Sequence, residues 1–88
     1  MINTIPCTDR RLQAFVQHML DQLVANRHIQ PYEHLRAEAN DLGEVWVYGY
    51  VEDPALAENA IAFAEDVPGV HCVFNKVVVA YRGMAMAL

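Results

Sequence analysis

The 88-residue sequence predicts one α+β domain of order α-β-β-α-β, with two helices packed on one face of a three-stranded mixed sheet. Three observations predict this fold: an amphipathic run at helical spacing, and two β-branched or aromatic runs separated by an alanine-rich segment. Strands joined by a helix usually pair in parallel. We expect the single domain to fill residues 1–88, with its core at about 8–81 and tails at 1–7 and 82–88.

The first helix is expected to begin at Thr8, a residue type that caps helix N-termini, with Asp9 in its first turn. Apolar residues then recur along one helix face at the i, i+3, i+4, i+7 spacing, and these are Leu12, Phe15, Val16, Met19, Leu20, Leu23 and Val24. The helix should end near residues 26–28, because Pro31 disfavours helical geometry in the residue before it.

Two strands and a hairpin turn are expected next. Residues 33–39 alternate apolar and charged side chains, which is a weak strand signal because alanine is a poor strand former. Residues 40–43 predict a turn, in which Gly43 supplies the positive φ that closing a hairpin usually requires. Residues 44–51 predict a strong strand, since all of them except Glu44 and Gly49 are β-branched or aromatic.

The second helix should follow Asp53 as N-cap and Pro54 as first helical residue. Its expected apolar face consists of Leu56, Ala57, Ala60, Ile61, Phe63 and Ala64. Pro68 and Gly69 should end it, and the last strand is expected over residues 70–81. An apolar tail without a periodic pattern, residues 83–88, completes the chain.

Composition narrows the function classes. The net charge of −5 and the pI near 5.1 argue against nucleic-acid binding, which needs clustered Lys and Arg. The element order could suggest an RNA-binding KH module, but the Gly-x-x-Gly loop and basic groove of that module are missing. No apolar run reaches transmembrane length.

The N-terminus has neither the basic nor the apolar region of a secretory signal, so the chain as written is expected in the cytoplasm. If the sequence is a trimmed form of an exported protein, we expect it in the periplasm or at a membrane. Cys7 and Cys72 are too few for a disulfide framework and are expected to be free thiols.

No catalytic constellation is found, so we expect a non-enzymatic protein without cofactor or metal. His28 and His34, with Glu33, could form a surface metal site, although exposed loop histidines explain the same pattern. Cys72 is expected to be an ordinary strand thiol and not a nucleophile, and the chain contains neither a Cys-x-x-Cys motif nor a P-loop.

The second half of the chain carries two motifs in a fixed order. Val-x-Gly-x-Val occupies residues 47–51, and Val-Pro-Gly-Val-x-x-Val-x-Asn-x-Val-x-Val occupies residues 67–79. Together they resemble the BON domain, a family of small bacterial modules found in osmotically induced periplasmic proteins, outer-membrane lipoproteins and some secretion components. The resemblance covers about residues 8–81 and implies the same α-β-β-α-β architecture, with structural positions at Gly49, Pro68, Gly69 and Asn75.

The resemblance also implies a function. BON domains are regarded as binding modules that contact phospholipid or other envelope proteins, and not as enzymes. Members often carry two copies behind a signal or lipid anchor, whereas for this chain we expect one copy and no export signal, and its net charge is negative. These departures weigh against membrane binding.

Two helices can cover only one side of the sheet. Side chains alternate along a strand, so Val45, Val47 and Val51 share one face of the middle strand. The family pattern implies that these small aliphatic residues face the helices, unless a bulge at Gly49 breaks the alternation. The uncovered side, called the open face below, would then carry Trp46, Tyr48, Tyr50, Phe74 and Val78.

An aromatic patch of this kind usually marks an interface. We therefore favour an interaction module that docks a protein partner or forms a homodimer, in the simplest form packed sheet to sheet. Alternatively, the tail at Met84, Met86 and Leu88, or the loop at Ile29 and Tyr32, covers the open face.

The other hypothesis is phospholipid binding. Arg10 and Arg11 form the only adjacent basic pair that could meet an anionic head group, and the aromatic residues could lie at a lipid interface.

Overall fold

A computed structural model describes residues 7–80 of the chain, which confirm the expected element order. The elements are α1 (Arg10–Ala25), β1 (His34–Ala39), β2 (Glu44–Val51), α2 (Pro54–Glu65) and β3 (Cys72–Val79). Tyr81, the expected end of the last strand, and the apolar tail with Met84, Met86 and Leu88 lie outside the described residues.

The three strands form one mixed sheet in the order β1-β2-β3. β1 and β2 are antiparallel neighbours joined by a hairpin turn, in which Gly43 has the expected positive φ of 78°. β2 and β3 run in parallel, as expected for strands joined by a helix. The middle strand is therefore hydrogen-bonded on both sides, whereas β1 and β3 each have one outer edge.

The N-cap of α1 is Asp9 and not Thr8. The Asp9 carboxylate accepts a hydrogen bond of 3.0 Å from the backbone N–H of Leu12, as a capping side chain does. The Asp9 backbone N–H donates to the carbonyl of Ala39, and Thr8 lies in an isolated bridge to Asn40. Thr8 was the wrong choice because its backbone pairs with the end of β1, which leaves the capping position to the next residue.

α2 begins as expected, since the carboxylate of Asp53 accepts from Ala55 N–H at 2.9 Å and Pro54 is the first helical residue. The chain then turns through residues 67–70, where Val70 N–H donates to the Val67 carbonyl at 3.1 Å and Gly69 has a φ of 97°. A proline followed by a glycine of positive φ is typical of a type II turn. This turn delays the last strand, which begins at Cys72 and not at residue 70.

The hydrophobic core lies between the helices and one face of the sheet. Its buried members come from α1, β1, β2, α2 and the turn before β3, whereas β3 contributes residues that are only partly buried. The six largest fully buried side chains are Val16, Leu20, Val45, Val47, Val51 and Leu56. Two residues expected on the helical apolar faces are exposed, Phe15 at 60% and Phe63 at 38%, and three more, Met19, Val24 and Ile61, are only partly buried. Each of these phenylalanines lies at the side of its helix, because the buried face is narrower than the apolar face that the sequence periodicity predicts.

Gly49 allows the first two strands to come close together. A Cβ atom at this position would lie 2.1 Å from the carbonyl oxygen of His34, and the φ of Gly49 is 155°. Gly49 is therefore a point of close approach between β1 and β2. The register continues through Gly49 on both sides, so no bulge breaks the alternation of side chains.

Candidate interaction surface

The two faces of β2 differ in burial as the alternation predicts. Val45, Val47 and Val51 are fully buried against the helices. Trp46 and Tyr50 on the opposite side are partly exposed, and Tyr48 is 37% exposed. The helices thus cover only one side of the sheet, and the five residues expected on the open face lie on the side away from the core.

The strand register arranges the open face in three rows that cross the sheet. One row contains Glu38, Trp46 and Phe74. The middle row contains Arg36, Tyr48 and Lys76, and the third contains His34, Tyr50 and Val78. Each row therefore places an aromatic side chain of β2 between one residue of β1 and one of β3.

Aromatic contacts organise both ends of the open face. Trp46 and Phe74 stack with their ring centroids 5.2 Å apart and their planes at 22°. At the other end, Tyr32 from the loop before β1 meets Tyr50 edge to face, with centroids 5.9 Å apart, and its hydroxyl donates to Glu52. The loop thus reaches the open face at Tyr50, while Phe74 at 39% and Val78 at 57% stay exposed.

Tyr48 lies at the centre of the open face and is linked to an acidic residue. Its hydroxyl donates to a carboxylate oxygen of Glu38 at 3.3 Å. Partial desolvation of the phenol, the nearby charge of Glu38 and this hydrogen bond together raise the pKa of Tyr48 above its ordinary value of 10.0. At neutral pH the residue therefore presents a neutral ring and hydroxyl on the open face.

Sequence reasoning missed the contribution of β1 to this surface. Arg36, Glu38 and His34 are exposed and lie beside the aromatic residues of β2. The sequence contains a signal for this contribution, because the charged residues of β1 alternate with the apolar ones. In an antiparallel hairpin with β2, this alternation places the charged residues on the same face as the aromatic residues of β2. Within residues 7–80, neither Arg36 nor Lys76 forms an ion pair.

The histidines and Glu33 do not form a metal site. Both carboxylate oxygens of Glu33 are occupied, one by Gln30 N–H at 2.6 Å and the other by Glu52 N–H at 2.9 Å. His28 and His34 are exposed, and in the part of the chain that is described no three potential metal ligands lie together. Glu33 instead joins the loop before β1 to the end of β2, a structural role that sequence reasoning missed.

Cys72 is a free thiol, as expected, and it forms no disulfide with Cys7. Cys7 and Cys72 are both exposed, and Cys72 lies on the open face at the start of β3.

The basic pair lies away from the open face, at the start of α1. Arg10 and Arg11 are both exposed. Arg11 and Phe15 line a shallow depression together with Pro68, and Asp9 and Asp41 line the same depression. The structure therefore places an exposed aromatic ring beside one of the two arginines but does not bring the pair near Trp46 or Tyr48.

The residues expected to be structural have identifiable contacts. Pro68 and Gly69 form the turn before β3. The side-chain oxygen of Asn75 accepts a hydrogen bond of 2.9 Å from the backbone N–H of Val77, on the outer edge of β3. Asn75 thus acts on its own strand and does not contribute to the core.

No helix within residues 7–80 combines the length and the apolar character needed to cross a lipid bilayer. No curated protein matches the chain. The sequence model of the BON domain matches residues 16–81, which is most of the chain and includes all three strands and α2. The chain therefore belongs to the BON domain family.

Proposed function

We propose that the chain is a non-enzymatic binding module that docks a protein partner on its open face. The observation that carries the proposal is the surface itself: aromatic rings are exposed on the side of the sheet that neither α1 nor α2 covers. Aromatic residues give large contact area at low cost in side-chain entropy and are common at the centres of interfaces. Membership of the BON family also fits a module that contacts proteins or lipids.

Charge complementarity favours a partner with carboxylates. Arg36 and Lys76 flank Tyr48 in the middle row, and neither has an acidic partner within the described part of the chain. The open face also carries Glu38, whose carboxylate accepts a hydrogen bond from Tyr48, so the two cations of the middle row are the groups that a partner's carboxylates would meet. A protein segment that combines apolar and acidic side chains could pack on the aromatic rings and form ion pairs with the two cations.

The open face could instead pack against the open face of a second copy, but the charges of Arg36 and Lys76 disfavour this arrangement. A two-fold axis along β2 would place Arg36 over Lys76 of the second copy. An axis across β2 at Tyr48 would place each cation over its own counterpart. Like charges that face each other across an interface reduce affinity.

Site-specific photo-crosslinking in the producing cell tests the proposal. A photoreactive phenylalanine at Tyr48 should form one discrete protein adduct, whereas the same group at Glu58, on the exposed side of α2, should not. The double substitution Arg36→Glu and Lys76→Glu should abolish the adduct, because it reverses the charge that attracts the partner. The proposal fails if the two positions crosslink equally or if the charge reversal has no effect. An adduct of twice the chain mass would identify a second copy instead.

A second candidate function is contact with an anionic phospholipid surface through the start of α1. Phe15 is 60% exposed beside Arg11, and an apolar ring next to a cation suits the membrane interface. Asp9 and Asp41 line the same depression, and the net charge is negative, so we rank this function second.

An amide NMR titration with anionic phospholipid micelles separates the two functions. Shifts confined to Arg10, Arg11 and Phe15, and lost in Arg10→Gln/Arg11→Gln, would support lipid contact. The absence of shifts at these residues, with zwitterionic micelles as control, would exclude it.

A further inference from the structure

The backbone N–H and C=O groups along the two outer edges of the sheet differ in their hydrogen bonding. On β1, the backbone N–H groups of Ala37 and Ala39 donate to the side-chain oxygens of Gln17 and Gln13 at 2.9 and 3.1 Å. The Gln17 amide also donates to the Leu35 carbonyl, and the Ala39 carbonyl accepts from Asp9. α1 therefore closes this edge to any further strand.

Within residues 7–80, no further strand pairs with the outer edge of β3. Cys72 N–H donates to Gly43, and Ala80 N–H donates to the carbonyl of Val51 at the end of β2. Because backbone groups alternate along a strand, the odd-numbered residues direct their N–H and C=O groups outward, and these are Val73, Asn75, Val77 and Val79. Among these groups, the only one with a partner in residues 7–80 is the Val77 N–H, which is bound by the side chain of Asn75.

We propose that β3 pairs antiparallel with β3 of a second copy, which joins the two sheets into one. Unpaired backbone groups along a strand define their own partner, since only another extended strand can satisfy them in sequence. This inference goes beyond the proposed function, because it concerns the edge of the sheet and not its open face.

The sequence of β3 is complementary to itself in one register. With the two-fold axis at Asn75, Val73 faces Val77 of the second copy. Phe74 faces Lys76 of the second copy, so that the cation and its aliphatic stem lie over an aromatic ring. Lys76 is the only charged residue of β3, and an axis at Lys76 would instead oppose two like charges.

Pairing in this register also covers exposed side chains. Cys72, which is exposed, would lie opposite Val78, which is 57% exposed. The bond from Val77 N–H to the Asn75 side chain would be replaced by a ladder bond to the second copy. Both open faces would lie on the same side of the joined sheet, because the two-fold axis is perpendicular to it.

Disulfide trapping tests the register. Even-numbered residues of β3 would form the non-hydrogen-bonded pairs of the new ladder, whose Cα atoms lie about 4.5 Å apart, within the range that a disulfide spans. In a Cys7→Ser background, Val78→Cys should form two disulfides with Cys72 of the second copy on mild oxidation. Tyr48→Cys in the same background is the control, since Tyr48 lies on the same face but on the inner strand.

A second variant tests the edge without a disulfide. Asn75→Pro removes an N–H that points away from β2, so the domain keeps its internal ladder while the edge is blocked. The unmodified chain should sediment as a dimer of twice 9.9 kDa at high micromolar concentration, and Asn75→Pro should sediment as a monomer with an unchanged circular dichroism spectrum.

Three results would each overturn the proposal: a monomeric unmodified chain at that concentration, no crosslink specific to Val78→Cys, or a folded Asn75→Pro variant that is still dimeric. The last result, combined with loss of the dimer in Tyr48→Ser, would assign self-association to the open face.

Discussion

At the scale of single residues, Gly49 is the position where the backbone leaves no room for a side chain. Its hydrogen faces the His34 carbonyl on the neighbouring strand, where a Cβ atom would lie 2.1 Å from the oxygen. Since both groups are backbone atoms in a paired ladder, neither can move without loss of hydrogen bonds. The aromatic residues on either side of Gly49 depend on this close approach for their position.

We therefore expect Gly49→Ala to lower the free energy of unfolding by at least about 2 kcal/mol, the range typical of backbone strain. Gly69→Ala is the matched control, because the added Cβ would contact only the Leu12 side chain at 3.5 Å and the strain of a positive φ is its main cost. Urea denaturation of both variants measures the difference. Equal losses would show that the close approach to His34 is not the cause.

Tyr48 gives the open face a pH dependence. Because the folded domain raises the pKa of Tyr48 above 10.0, its contribution to stability is complete below that pH and is lost as the pH rises through the raised pKa. Glu38→Gln removes the charge and its hydrogen bond, so the pKa of Tyr48 should fall toward the ordinary value. NMR titration of the Tyr48 ring over pH about 8 to 12 measures it, with Glu58→Gln as control. An unchanged Tyr48 titration in Glu38→Gln would exclude Glu38 as a cause.

At the scale of elements, α1 has a second role besides burying its apolar stripe. The polar side of the helix next to that stripe carries Gln13 and Gln17, whose side chains complete the hydrogen bonding of β1. A weak strand rich in alanine thus gains the partners that a fourth strand would provide. This explains how residues 34–39 form a strand despite low strand propensity.

The double substitution Gln13→Ala and Gln17→Ala should cost about 1 to 3 kcal/mol, because it leaves strand donors without partners. The amide protons of Ala37 and Ala39 should exchange faster than those of Val45 and Val47. Gln22→Ala, on the same helix but with a side chain directed to solvent near His18, is the control. If hydrogen exchange at Ala37 were the same in both variants, the glutamines would not protect the edge.

The sequence predicts the elements better than the contacts between them. Periodicity predicts α1 and β2, because burial on one side leaves a regular apolar pattern. Periodicity fails at Phe15 and Phe63, since the width of the buried stripe depends on how the helix packs on the sheet and not on the sequence pattern alone. Gln13, Gln17 and Glu33 were missed because a polar residue that binds distant backbone has the same sequence signature as one in solvent.

At the scale of the whole molecule, α1 and α2 cover one face of the sheet and leave the other face uncovered within residues 7–80, so neighbouring residues of β2 belong to different layers. Val47 is fully buried, whereas Tyr48 is 37% exposed. The open face and the outer edge of β3 meet at Phe74 and Val78. A partner on one surface would therefore contact residues that also border the other.

This layering predicts that a small substitution on the buried face of β2 lowers the stability of the domain more than a large substitution on the open face. Val47→Thr places a hydroxyl in the core and should cost about 1 to 3 kcal/mol. Tyr48→Thr removes a whole ring but should cost less than about 1 kcal/mol, because only cross-strand contacts are lost. Threonine suits strands in both variants, so propensity is matched. Thermal denaturation compares them, and a greater loss in Tyr48→Thr would contradict the assignment of the faces.

The carbonyl of Gly43, in the hairpin turn, accepts hydrogen bonds from His71 at 2.7 Å and Cys72 at 3.3 Å, at the start of β3. This contact has a consequence for the order of folding. The hairpin of β1 and β2 closes a short loop and can form early, whereas β3 must first close the much longer loop that contains α2. Once Gly43 holds the first residue of β3, the parallel ladder can extend from that end in one register. We therefore expect the docking of β3 at Gly43 to limit the folding rate.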